Sequence, residues 1–296
     1  MFPGKPLVVS SLLLIILGQG PQVTNAQEPT PSPSATPSPT VESPDDAKKS
    51  QIEKAFERLE WRSIGPANMG GRTADIEGVP GDLNTVYVAT ASGGLWKTTN
   101  AGVTWKPIFE RQGTISIGDI ALAPNNPDVV WVGTGESNTR NSVSFGDGVY
   151  KSTDGGKSWQ HMGLRDSERI SAIAVHPQNP DVVYVGALGH AFGPNEERGV
   201  FMTVDGGKTW TRTLYVDREH GVSDLDMDPT NPNILYAAMW SFERKPWTHR
   251  SGSEKGGVFR SIDGGRSWKR LTTGLPKLIG RIGVRVAPSN PNVVYA

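Results

Sequence analysis

The chain has 296 residues, 30 basic and 30 acidic side chains, and no cysteine. A formal charge of zero, with Lys and Arg scattered, removes the electrostatic pull that draws proteins to nucleic acid or anionic membranes. The missing thiols exclude disulfides, thiolate metal sites, a cysteine nucleophile and a bacterial lipoprotein anchor.

Residues 1–26 read as a secretory signal, with Lys5 in a short basic start, an apolar run from Leu7 to Leu17 and a small-residue cleavage site at Thr24-Asn25-Ala26. That run is too short to span a bilayer. The expectation is export to the periplasm or medium of a bacterium, with no stable membrane insertion after cleavage. Residues 27–46 are rich in Pro, Ser and Thr, cannot bury apolar surface and favour extended polyproline conformations, so a disordered tether is expected. Residues 47–60 predict a short helix, capped by Asp45 or Asp46, with Ile52, Phe56 and Leu59 on one face.

From residue 61 to residue 296 the chain repeats itself. Thr98 to Trp105, Ser152 to Trp159, Thr203 to Trp210 and Ser261 to Trp268 are near copies, their tryptophans recurring at intervals of 54, 51 and 58 residues. In phase with them run short β-branched and aromatic stretches: Val86-Tyr87-Val88, Val130-Trp131-Val132, Val183-Tyr184-Val185, Leu235-Tyr236-Ala237 and Val294-Tyr295. Asn-Pro turns precede all but the first of these. Four antiparallel strands per unit of roughly 50 residues is the composition of a β-propeller blade. Blades are expected at approximately 72–110, 116–163, 169–216, 221–272 and 280–296. The fifth stops in its second strand, so the reading is an all-β, Asp-box propeller of about four and a half blades, an incomplete ring continued beyond Ala296.

The repeated turn has a mechanism. Its Asp accepts from backbone N–H groups just ahead, its glycines supply positive φ, and its Trp packs under the hairpin. It resembles the Asp box of sialidase-like and sortilin-like propellers, where it is a structural staple. Asp154, Trp159, Asp205, Trp210, Asp263 and Trp268 are therefore expected to fold the chain, with Asn100 and Ala101 marking one degenerate copy.

Connections between second and third strands lie on the face opposite the Asp boxes, and they lengthen along the chain: 91–93, 135–147, 189–198 and 240–256. Long loops on a rigid scaffold commonly carry binding or chemistry. The ligand-binding candidates are Glu136, Arg140, Asp147, His190, Glu196, Arg198, Trp240, Arg244 and Trp247, since flat rings stack on sugars or peptides while polar groups orient them. Asp75, Asp119 and Asp224 share a place on the innermost strands. They could act as paired acids in glycoside hydrolysis, or bond neighbouring backbone. The run Asp224 to Asp228 fails as a calcium loop, having Pro229 and Leu235 where Gly and Glu are needed, and the five histidines show no ligand spacing. No metal and no cofactor is expected.

From Trp61-Arg62-Ser63-Ile64-Gly65-Pro66 onward, with Gly133-Thr134-Gly135-Glu136 and Gly148-Val149-Tyr150-Lys151, the chain resembles large exported bacterial proteins with a sortilin-type N-terminal propeller, often labelled glycosyl hydrolases. The resemblance implies a multi-bladed ring that binds peptides or proteins. Sialidase signatures are missing: there is no Phe-Arg-Ile-Pro, and the tyrosines other than Tyr215 fall at repeat positions. Two-propeller xyloglucan hydrolases, a closer repeat match, place a catalytic Asp just before a Gly-Gly pair in the first blade, where this chain has Ala91-Ser92-Gly93-Gly94. The reading is a binding or scaffold module for a peptide, protein or carbohydrate on the long-loop face. The alternative is a glycoside hydrolase with catalytic residues partly outside this sequence.

Overall fold

The computed structural model describes residues 72–140 and 142–296; the proposed signal, tether and helix lie outside them. Four antiparallel sheets follow one another. The first runs β1 (Thr73–Gly78), β2 (Val86–Thr90), β3 (Leu95–Thr98) and β4 (Lys106–Pro107). The second runs β5 (Ile117–Ala123), β6 (Asn126–Thr134), β7 (Val149–Ser152) and β8 (Gln160–His161). The third runs β9 (Ile170–Val175), β10 (Val183–Ala187), β11 (Gly199–Thr203) and β12 (Thr211–Leu214). The fourth runs β13 (His220–Met227), β14 (Leu235–Lys245), β16 (Gly257–Ser261) and β17 (Lys269–Arg270), with β15 (Thr248–Ser251) paired to the far end of β14. A two-stranded sheet, β18 (Arg285–Val286) and β19 (Val294–Tyr295), comes last. Four sheets built on four-stranded paths, followed by a two-stranded one, give the all-β, incomplete propeller arrangement expected. Among the described residues the only helical turn is the 3-10 turn Arg165–Ser167, and no helix is long and apolar enough to cross a membrane.

One expectation is corrected. The stretch 240–256 is not a single loop, because β14 continues through Trp240 and turns back at Pro246-Trp247 into β15, with Phe242 opposite Ser251 and Lys245 opposite Thr248. Trp240, Ser241 and Phe242 are all buried. A strand covered on both faces shows no alternation by which sequence could reveal it.

The core lies between blades. Leu95, Ile120, Val132 and Tyr150 fill the layer between the first and second, and Trp131, Val149, Ile170, Val185 and Phe201 that between the second and third. Tyr184, Val200, Val222, Leu225 and Phe259 fill the next, and Tyr236, Val258, Val284 and Val286 the last.

Two sets of polar contacts fix how the blades meet. On the Asp-box face the second-strand aromatic of one blade reaches the box of the next: Tyr87 Oη donates to Gly155 O at 3.2 Å and Tyr184 Oη to Gly264 O at 2.9 Å. Trp131, at the same register, lies so near Gly207 that a Cβ there would sit 2.7 Å from its ring. The box tryptophans reach back, Trp159 Nε1 donating to Ile108 O at 2.8 Å and Trp210 Nε1 to Met162 O at 2.6 Å. Around the axis, inner-strand side chains staple each blade to its successor. Asp119 Oδ2 accepts from Ile173 N at 2.6 Å, Asp224 Oδ2 from Val284 N at 2.8 Å, Asp226 Oδ2 from Val286 N at 2.6 Å, and Asp75 Oδ2 weakly from Ile120 N at 3.4 Å. The third blade has Ala172 there, and Ser171 Oγ makes the joint instead, donating to Val222 O at 2.6 Å.

Inside each box the carboxylate is saturated. Asp154 Oδ1 accepts from the N–H of Lys157 and Ser158, both at 2.9 Å, and from Ser152 Oγ, while Oδ2 accepts from Ser158 Oγ at 2.6 Å. In the same setting, the Ser267 hydroxyl and N–H and the Ser261 hydroxyl hold the Asp263 carboxyl down to about 2. The degenerate copy keeps the pattern. Asn100 Oδ1 accepts from Thr104 N at 2.9 Å, Nδ2 donates to Thr104 Oγ1, and Ala101 adopts φ 53° where Gly155 has 69°. Asp154→Asn should therefore melt within about 1 °C of wild type, whereas Asp154→Ala should lose roughly 2–4 °C in Tm by calorimetry, the shift expected from about one net hydrogen bond in a chain of this size.

Candidate functional site

Antiparallel pairing puts the Asp boxes and Asn-Pro turns on one face of the sheets and two kinds of connection on the other. These are the second-to-third strand loops and the segments leading from one blade to the next. Val143 of the second blade's loop packs against Leu188 and Ala191 of the third and Trp240 and Phe242 of the fourth, so two loops and the β14–β15 hairpin meet in one apolar cluster. Trp240 is buried, stacked on Phe242 at 4.6 Å with its Nε1 donating to Ser251 Oγ. The Arg281 guanidinium lies 5.8 Å from its ring centroid and donates to Asn138 Oδ1 at 2.7 Å, tying the second loop to the last inter-blade segment.

Glu136 is 2 % exposed and forms an ion pair with Arg72, from the start of the first blade. Its N–H donates to Ser116 Oγ, which itself donates to Ala91 O at 2.8 Å, so Glu136 is anchored beside Ala91. Burial and then the charge of Arg140 lower the Arg72 pKa. Arg140 is exposed and donates to Ser142 Oγ. Asp147 accepts from Tyr150 Oη at 2.7 Å, and burial followed by this bond pushes the Tyr150 phenol up to about 12.

His190 donates from Nε2 to Asp166 Oδ1 at 3.0 Å, and Glu168 Oε1 is 3.6 Å away. Arg198 is fully buried. It donates to Asn195 Oδ1 and to the carbonyls of Leu188, His190, Gly193 and Glu219. With those bonds made inside the protein, its place is that of the loop's internal frame. Burial, then neighbouring Arg169, brings it down to about 10. Glu196 is exposed, pairs with Arg218 at 3.0 Å and accepts from Tyr215 Oη at 3.0 Å. Arg244 is half-buried, its N–H donating to Ala191 O at 2.7 Å. Trp247 stands 80 % exposed at the hairpin turn, and Phe145 and Phe192 are exposed on the adjoining loops.

The structure thus joins Arg72 to Glu136 and, two residues further along the same loop, Asn138 to Arg281, whose guanidinium faces Trp240. Arg72, Arg281, Asp166 and Glu168 are absent from the sequence candidates because they lie on segments leading into the first strand of a blade, not on second-to-third loops. Strand parity assigns both kinds of connection to the same face and was the signal that could have found them. Among the described residues, no three His, Asp or Glu side chains are grouped to hold a metal.

The inner-strand acids bond to the neighbouring blade's backbone rather than standing free as a pair. Asp119 is raised well above the ordinary value by burial and then by Asp75, and Glu77 is raised to about 7 by burial and then by Asp75. Folded Glu77 holds its proton more tightly than the unfolded chain does, so its contribution to stability is present below about pH 4.5 and is lost as pH rises through 7. Glu77→Gln should therefore raise Tm relative to wild type at pH 8 and leave it nearly equal at pH 4.5, as checked by melting across that range.

The family model described as "Sortilin, neurotensin receptor 3" matches residues 147–279. A xyloglucanase of Acetivibrio thermocellus is 25% identical over 232 residues, covering 65% of this chain and 24% of that protein. A probable oligoxyloglucan-reducing end-specific xyloglucanase of Neosartorya fischeri is 21% identical over 245 residues, covering 76% of this chain and 26% of the relative. The chain thus spans about a quarter of the length of these relatives. Among solved structures, the GH74 xyloglucanase of Xanthomonas campestris superposes with a TM-score of 0.54 at 16% identity, over 76% of this chain and 35% of that one. An ancestral GH74 enzyme gives 0.52 at 23% identity, over 72% and 25%. The chain therefore resembles sortilin-type propellers and shares the propeller fold of these enzymes.

Proposed function

We propose that the long-loop face recognises a neutral polysaccharide of the xyloglucan type, and that this chain contributes substrate binding to a protein of the glycoside-hydrolase propeller class. The convergence of two long loops and the β14–β15 hairpin on one apolar cluster carries this reading. It fixes a rigid platform from which the rings of Trp247, Phe145 and Phe192 stand exposed beside polar and charged side chains. Flat rings stack on the apolar faces of sugar rings, and carboxylates and guanidiniums orient hydroxyl groups. The similarity to xyloglucanases points to the same class of ligand. Ala91 stands where the two-propeller hydrolases have their first-blade Asp, so the reading assigns this face binding, with Glu136 the carboxylate anchored beside that position. Export would bring such a face to plant polysaccharide.

The sortilin match supports a second reading, peptide binding, because it spans the third and fourth blades whose loops form much of the platform. Calorimetric titration separates the two. Xyloglucan oligosaccharide should bind, and Trp247→Ala should weaken it roughly tenfold, about 1.4 kcal/mol. Failure of xyloglucan with binding of extended peptides would overturn the polysaccharide reading in favour of the sortilin-like one.

A further inference from the structure

Beside the platform, three side chains from two segments form a relay. His220, 2 % exposed at the start of β13, donates from Nδ1 to Asp217 Oδ1 at 2.6 Å, and its Nε2 faces Ser253 Oγ at 2.5 Å. With Nδ1 protonated, Nε2 is the acceptor for the Ser253 hydroxyl, which is the tautomer a general base requires. Asp217 Oδ1 also accepts from Glu219 N at 2.9 Å and Oδ2 from Lys255 Nζ at 3.1 Å. Burial works against its charge, yet these bonds together hold the carboxyl down to about 2, so it stays an anion behind the imidazole. Ser253 is half-buried and its neighbours Glu254 and Lys255 are exposed.

We propose that Asp217, His220 and Ser253 form a nucleophilic site that cleaves short-chain carboxylic esters. Ser253 Oγ attacks the ester carbonyl carbon as its proton passes to His220 Nε2. The carbon–oxygen bond to the alcohol then breaks, and His220 returns the proton to that leaving oxygen. Water, deprotonated by His220, attacks the acyl-serine and releases the acid, restoring the hydroxyl. The N–H groups of Lys255 and Gly256, 3.1 and 3.0 Å from Ser253 Oγ, stabilise negative charge developing on that oxygen. The same donors temper its nucleophilicity, which suits an ester better than an amide. The Lys255 ammonium, beside Asp217, is a cation for the acyl oxygen.

A cleft of about 220 Å³ begins at Glu254 and Ile279. Both adjoin Ser253, Glu254 in sequence and Ile279 through reciprocal backbone bonds of 3.1 and 3.2 Å. Leu271, Leu275 and Ile279 give it an apolar wall for a short acyl chain, and Arg270 and Lys277 also line it. The loop-staple role that such a network also serves requires no reactive hydroxyl, and that is what the test reads.

The experiment is labelling of the folded chain with a fluorophosphonate probe, mapped by peptide mass spectrometry, together with turnover of p-nitrophenyl acetate. The expected result is one adduct on Ser253, formed at a rate that rises sigmoidally as an imidazole loses its proton, and at least ~100-fold slower labelling in His220→Asn. Asp217→Asn should slow labelling while leaving Ser253 the only modified residue. If His220→Asn does not fold, the wild-type pH profile decides. No adduct, an adduct elsewhere, a pH-independent rate, or His220→Asn labelling at the wild-type rate would overturn the proposal.

Discussion

The innermost strand of every blade has one edge with no strand beside it, and its outward N–H groups need acceptors. Here the preceding blade supplies them from its own inner strand, through Asp119 to Ile173, Asp224 to Val284 and Asp226 to Val286. A carboxylate fits this place because one oxygen can accept from the next blade while the side chain remains on its own strand. The strands can then approach closely: a Cβ on Gly118 would lie 2.0 Å from Ile170 O. Inner-strand charge in this protein is architectural first, and the raised values of Asp119 and Glu77 are the cost of crowding carboxyls near the axis.

At the periphery the Asp box does the complementary task. Its carboxylate closes the turn, its glycines admit the aromatic ring or hydroxyl of the preceding blade, and its Trp reaches that blade's last strand. With both ends of each joint fixed on the strands and on one face, connections on the other face are free to lengthen. That division of labour lets two loops and the β14–β15 hairpin gather around Trp240 without disturbing the repeat.

The repeat was legible because its determinants are local: a carboxylate four residues before the hydroxyl it binds, paired glycines, and aromatics at fixed intervals. Even the degenerate copy follows, since Asn100 offers an acceptor like that of Asp154. The loop face was legible only as a place. Glu136 and Arg72 are far apart in the chain, as are Arg281 and Asn138, and no local pattern announces such pairs. Arg198 shows the opposite difficulty. A charged residue in a loop reads as solvent-facing, yet here backbone carbonyls surround it and burial is complete. Trp240, by its type a candidate for contact, is buried beneath the platform, while Trp247, at the turn, stays exposed.

Amide hydrogen exchange tests the blade-to-blade joint most directly. If carboxylates of one blade complete the inner edge of the next, the N–H groups of Ile173, Val284 and Val286 should be protected as strongly as the ladder amides of their strands, and Asp119→Ala should deprotect Ile173 alone among them. Exchange of these amides at loop rates in the wild-type protein, or unchanged protection of Ile173 in the variant, would contradict the account.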